Sequence, residues 1–149
     1  MKALLCSLAL MAAVAQGQAQ TTATDPWVRG TVAQQKATGL FVQLTSAQGA
    51  KLVAGNSPVA ERVEIHEMTM VNDVMKMRQI DALPLPAGKA VALKPGGYHL
   101  MLMDLKQPLA AGAVVPVSLV IEGSDGKRET LTLQAPVRAL GAAPMKHGH

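Results

Sequence analysis

From residue 20 onward, apolar residues never recur at i, i+3 and i+4 for more than two turns, and this absence of helical periodicity constrains the fold most. Short β-rich runs take its place, at residues 27–32, 39–45, 62–70, 74–80, 90–93, 98–105, 114–122 and 128–134. Gly, Pro and Asn punctuate them at residues 46–49, 56–58, 83–86, 94–97 and 124–126. Asp125-Gly126, set between two alternating runs, reads as a hairpin turn. Seven or eight strands at this spacing predict one all-β domain, a sandwich or Greek-key barrel. A length of 149 residues suits one buried core.

The two ends read differently. Met1 and Lys2 give a short basic start, residues 3–15 are apolar, and Gly17-Gln18-Ala19 offers a small-x-small cleavage site. Residues 1–19 are therefore expected to be a secretory signal peptide, with cleavage after Ala15 as the alternative. The apolar stretch is short for a bilayer span, so stable membrane insertion is not expected. Residues 20–138 form the expected domain, and residues 139–149 are expected to trail off it. Cys6 is the one cysteine and leaves with the leader. The mature chain then has no thiol, which excludes disulfide frameworks, thiol-redox chemistry, Cys-ligated zinc and blue copper. Aromatic residues make up 2% of the chain and the net charge is only +4, without a Lys/Arg run. Nucleic-acid binding lacks both its stacking platforms and its phosphate-binding stripe.

Methionine is what stands out. Met68, Met70, Met75, Met77, Met101 and Met103 fall in a window that also holds His66 and His99. Methionine ordinarily fills cores. Strand alternation argues otherwise for this group. Leu100 and Leu102 form a core-facing row with Tyr98, which puts His99, Met101 and Met103 on the opposite face. Val63 and Ile65 likewise oppose Glu64, His66, Met68 and Met70. If Asn72-Asp73 is a two-residue turn, Met70 faces Met75, Met68 faces Met77, and His66 becomes a diagonal neighbour of Met77. Thioethers and imidazoles that share a face with a carboxylate pack poorly but can hold a metal. Soft sulfur with imidazole, and no thiolate, selects Cu(I) over Zn(II), Ca(II) or Mg(II). A site of two His and two Met fills Cu(I) coordination with no open position, which suits carriage of the ion rather than catalysis. Only the imidazoles titrate, so binding is expected to weaken as pH falls through about 6.5.

His66, Met77, His99 and Met101 form the pattern H-x10-M-x21-H-x-M. In this the chain resembles the periplasmic copper chaperones called PCu(A)C. The likeness extends through Trp27-Val28-Arg29, Pro58-Val59-Ala60, Val74-Met75-Lys76-Met77-Arg78, Leu93-Lys94-Pro95-Gly96-Gly97-Tyr98-His99 and the run 116–122. The resemblance implies a cupredoxin-like Greek-key β-barrel with a surface Cu(I) site. It also implies that the site's ligands are His66, Met77, His99 and Met101. Met68, Met70, Met75 and Met103 are outside that pattern and are read as auxiliary, supporting the site or packing beside it, with entry of one of them during transfer as the alternative. It implies a periplasmic carrier, not an enzyme, that supplies the Cu(A) centre of cytochrome c oxidase, directly or through a thiol-containing chaperone. The tail residues Met145, His147 and His149 resemble extensions of some relatives that bind Cu(II), and a tail without function is the alternative. Copper sequestration for tolerance and a metal-free β-sandwich interaction module remain the competing functions.

Overall fold

The computed structural model describes residues 20–139; the expected signal peptide and all but the first residue of the expected tail lie outside the described residues. Ten strands are present among these: β1 (Thr21–Arg29), β2 (Ala37–Ser46), β3 (Ala50–Asn56), β4 (Ala60–Val71) and β5 (Val74–Ile80), then β6 (Leu83–Leu85), β7 (Ala90–Leu93), β8 (His99–Leu105), β9 (Val114–Gly123) and β10 (Arg128–Arg138). Hydrogen-bonded neighbours run β4-β8-β2-β1-β10-β9-β3, and a further β3–β4 pairing closes the ring into a seven-stranded barrel. The chain crosses between non-sequential neighbours as a Greek key requires. β5, β6 and β7 lie outside the ring, on β4, β3 and β2.

Alternation explains the core. Leu40, Val42 and Leu44 of β2, Leu100 and Leu102 of β8, and Val115, Val117, Leu119 and Ile121 of β9 all point inward and are buried. Closure between β3 and β4 rests on the Gly55–Val63 pair. A Cβ on Gly55 would lie 2.9 Å from Val63 Cγ1, so the close approach of these strands needs glycine there.

Two strands escape the sequence reading. β3 holds Gly55 and few β-branched residues, and β6 is the Leu83-Pro84-Leu85 stretch read as a break. Pro84 is tolerated because β6 pairs only with β3 at a sheet edge. Trp27 and Phe41 stand outside the barrel's core cluster, although Phe41 is buried. A bulge between Thr24 and Trp27, with Asp25 at φ 53°, sets Trp27 opposite Phe41 on the outer face. Their rings lie 4.6 Å apart, and the Arg29 guanidinium sits over Phe41.

Candidate metal centre

The predicted hairpin is present. Asn72 and Asp73 both have positive φ, 49° and 61°, as a two-residue type I′ turn demands. Met70 pairs with Met75 and Met68 with Met77. On the other edge of β4, His66 pairs with His99 and Glu64 with Met101. Cross-strand partners share a face, so both imidazoles and Met68, Met70, Met75, Met77 and Met101 stand on the outside of the barrel. Three of the four residues singled out by the pattern are in contact: Met77 Sδ lies 2.8 Å from His66 Nδ1 and 3.4 Å from His99 Nε2. Met101 lines the same cavity, about 250 Å3, with His99, Met77 and Met68. Met70 and Met75 lie further along the hairpin arm. Met103 pairs with Arg62 and Ala37, two residues along β8 from Met101 and outside that cavity's lining. The tail candidates Met145, His147 and His149 lie outside the described residues.

The remaining hydrogen bonds fix what each ring offers. Gly97 O, which can only accept, is 3.0 Å from His99 Nδ1, so that nitrogen carries the proton and Nε2 presents its lone pair. The Pro95-Gly96-Gly97 turn, with Gly96 at φ +82°, therefore both presents His99 and sets its tautomer. Glu64 Oε2 lies 2.7 Å from His66 Nε2, which leaves the Nδ1 lone pair free. Two imidazole lone pairs thus converge on one thioether sulfur, three donors of the kind Cu(I) takes. Among the described residues, no group of three or more His, Cys, Asp or Glu could hold a metal ion.

A second layer holds the first. Arg62 Nε donates to Glu64 Oε1 at 3.0 Å, and Arg62 also pairs with Asp104. The His66 hydrogen bond, followed by that of Arg62, holds the Glu64 carboxyl below its usual range, so it stays an acceptor. A metal-binding imidazole usually needs a partner that orients it through its other nitrogen. Glu64 fills that role, and Asp104 acts one step back through Arg62. The signal was available, because Glu64 is two residues from His66 and so on its face. Beneath the site, Phe41 covers Gly39, where a Cβ would lie 2.7 Å from Phe41 Cζ. Gly39 is the register partner of Met101, so glycine gives the aromatic floor its room.

Two predictions arise from these contacts. Glu64→Gln leaves His66 without its carboxylate and should weaken Cu(I) binding roughly 10–100-fold, the usual cost of losing such an orienting partner. Competition against a chromogenic Cu(I) chelator reads this directly; unchanged affinity would deny Glu64 its orienting role. The second concerns pH. Burial pushes the His99 imidazole below its usual value, against the Gly97 hydrogen bond, with the nearby His66 and Arg29 adding to the shift. The unfolded chain binds that proton near pH 6.5 and the folded chain only lower. The stabilising contribution is therefore complete above about pH 6.5 and is lost as pH falls through the depressed folded value. Metal-free protein should lose melting temperature over this interval, and His99→Gln should remove that part of the loss. An identical pH slope in the variant would contradict it.

The fold agrees with that of known relatives. The family described as "Putative lipoprotein LpqE-like" matches residues 21–137. This chain belongs to the LpqE-like, PCuAC family. "Putative lipoprotein Lxx21020" of Leifsonia xyli subsp. xyli (strain CTCB07) is 33% identical to this PCuAC chain over 118 residues, 78% of the chain and 69% of the relative. The solution structure of CuI-DR1885 from Deinococcus radiodurans is 31% identical, with a TM-score of 0.60, covering 85% of this chain and 83% of that one. The copper-bound PCuAC domain from PmoF2 shares the fold at a TM-score of 0.65 and 23% identity, covering 81% and 94%. The PCuAC barrel is cupredoxin-like, as expected, and the family is a copper-binding, chaperone-type domain.

Proposed function

We propose that the protein is an exported copper carrier that binds Cu(I) through His66 Nδ1, His99 Nε2 and the sulfurs of Met77 and Met101, and delivers it to the Cu(A) centre of cytochrome c oxidase. The observation that carries this reading is the aim of two imidazole lone pairs at one methionine sulfur. Support comes also from the Cu(I) form of the Deinococcus radiodurans relative. Export through the leader at residues 1–19 into the periplasm is consistent with the lipoprotein name of the Leifsonia relative. Among the described residues no helix is long and apolar enough to cross a membrane.

Release is built into the same geometry. Met77 is 49% exposed, while His99 is buried. A partner's ligand reaches the ion from the sulfur side, and copper leaves by ligand exchange, with no change of oxidation state. The acceptor is an apo Cu(A) subunit or a thiol-containing helper whose thiolates bind Cu(I) more tightly than thioethers do. The tail residues Met145, His147 and His149 would add a separate Cu(II) site. Mixing copper-loaded protein with an apo Cu(A) domain, with and without the thiol chaperone, tests delivery. Copper in the re-isolated acceptor is expected. Copper that stays on the carrier in both mixtures would leave sequestration as its role.

A further inference from the structure

The hairpin carries more sulfur than one site uses. β5 pairs only with β4, and every residue from Val74 to Gln79 is exposed, so the outer part of this arm buries nothing against the barrel. Met70 is 62% and Met75 46% exposed. The packing role that ordinarily accounts for methionine is therefore closed to both. Their register is specific. Across a two-residue turn the flanking pair, Val71 and Val74, exchanges the ladder hydrogen bonds, so Met70–Met75 and then Met68–Met77 occupy the intervening positions. Opposed side chains approach most closely there, with Cα atoms about 4.5 Å apart. Four thioethers thus form two stacked pairs on one face, and the inner pair includes the sulfur that both imidazoles touch.

We propose that Met70 and Met75, with Met68 as the inner third sulfur, form a second and weaker site for a soft monovalent cation, Cu(I) or Ag(I), at the tip of the hairpin. The inference rests on the copper reading of the His66–His99 site and adds a path to it. Thioethers alone bind Cu(I) without proton release, because methionine does not titrate. The tip site accepts the ion from solvent or a donor, and each inward step exchanges one sulfur ligand for another with the oxidation state unchanged. The imidazoles then hold it more tightly. Met68 serves as the last sulfur before Met77, its register partner.

Methyl-13C-methionine NMR of the full-length protein separates the sites, with Ag(I) as a redox-inert probe and Cu(I) added anaerobically as a check. The first equivalent should shift the methyl signals of Met77 and Met101, and the second those of Met70 and Met75. In Met70→Leu/Met75→Leu the first equivalent should bind with unchanged affinity while the second at the tip is lost. Still Met70 and Met75 signals beside moving Met77 and Met101 signals would overturn the tip site and leave the main site intact. Unmoved methyls throughout would overturn both. Shifts of all four in the first equivalent would merge the pairs and remove a separate tip site.

Discussion

Met77→Leu should cut Cu(I) affinity by well over a hundredfold while leaving the fold unchanged. The sulfur is the one atom both imidazoles approach, at 2.8 and 3.4 Å, so its loss removes a proposed ligand and the point around which the other donors are arranged. Losing an orienting partner costs roughly 10–100-fold, and a direct ligand costs more. Stability should hold because Met77 lies on an exposed strand outside the barrel, where substitutions usually change stability by no more than about 0.5 kcal/mol. Chelator competition and thermal unfolding of the metal-free protein measure the two quantities separately. An affinity within threefold of wild type would remove Met77 from the site.

Leu100→Ala should do the reverse, costing about 2–5 kcal/mol of stability with the ligands all still present. Leu100 is fully buried and lies in register with Leu40 on one side and Ile65 on the other. It also separates His99 from Met101, so the strand that presents two donors outward is anchored inward by this side chain. A cavity there loosens the support for both. Saturating Cu(I) should offset most or all of the loss, contributing about 4 kcal/mol at a thousandfold excess over Kd if only the native state binds. Urea unfolding with and without Cu(I) checks this. A variant within about 1 kcal/mol of wild type would contradict the packing of β8.

Where one residue type dominated one face, the sequence was legible. The row Leu100, Leu102 against His99, Met101 resolves into inside and outside by alternation alone, and the Asn72-Asp73 turn sets the Met68–Met77 pairing by counting. The juxtaposition of His66 with His99 needed β4 and β8 to become neighbours across 32 intervening positions, and no local pattern encodes that pairing. Only the resemblance supplied it. Phe41, between Leu40 and Val42, is buried as an aromatic residue there suggests, but its odd position puts it beside Gly39 on the outer face rather than in the barrel core. β3 was missed because Gly55 weakens a strand signal for the reason the barrel needs it, the close approach to Val63. The role of Glu64 was less legible because a charged residue on a strand ordinarily faces water. The hydrogen bond to His66 depends on two rotamers that spacing does not reveal.

X-ray absorption at the copper edge of the anaerobically loaded protein, at one equivalent or less, tests the central claim most directly. A cuprous edge with two nitrogen and two sulfur neighbours is expected, falling to one sulfur in Met77→Leu. A shell of nitrogen and oxygen without sulfur, or a sulfur count that Met77→Leu leaves unchanged, would contradict it.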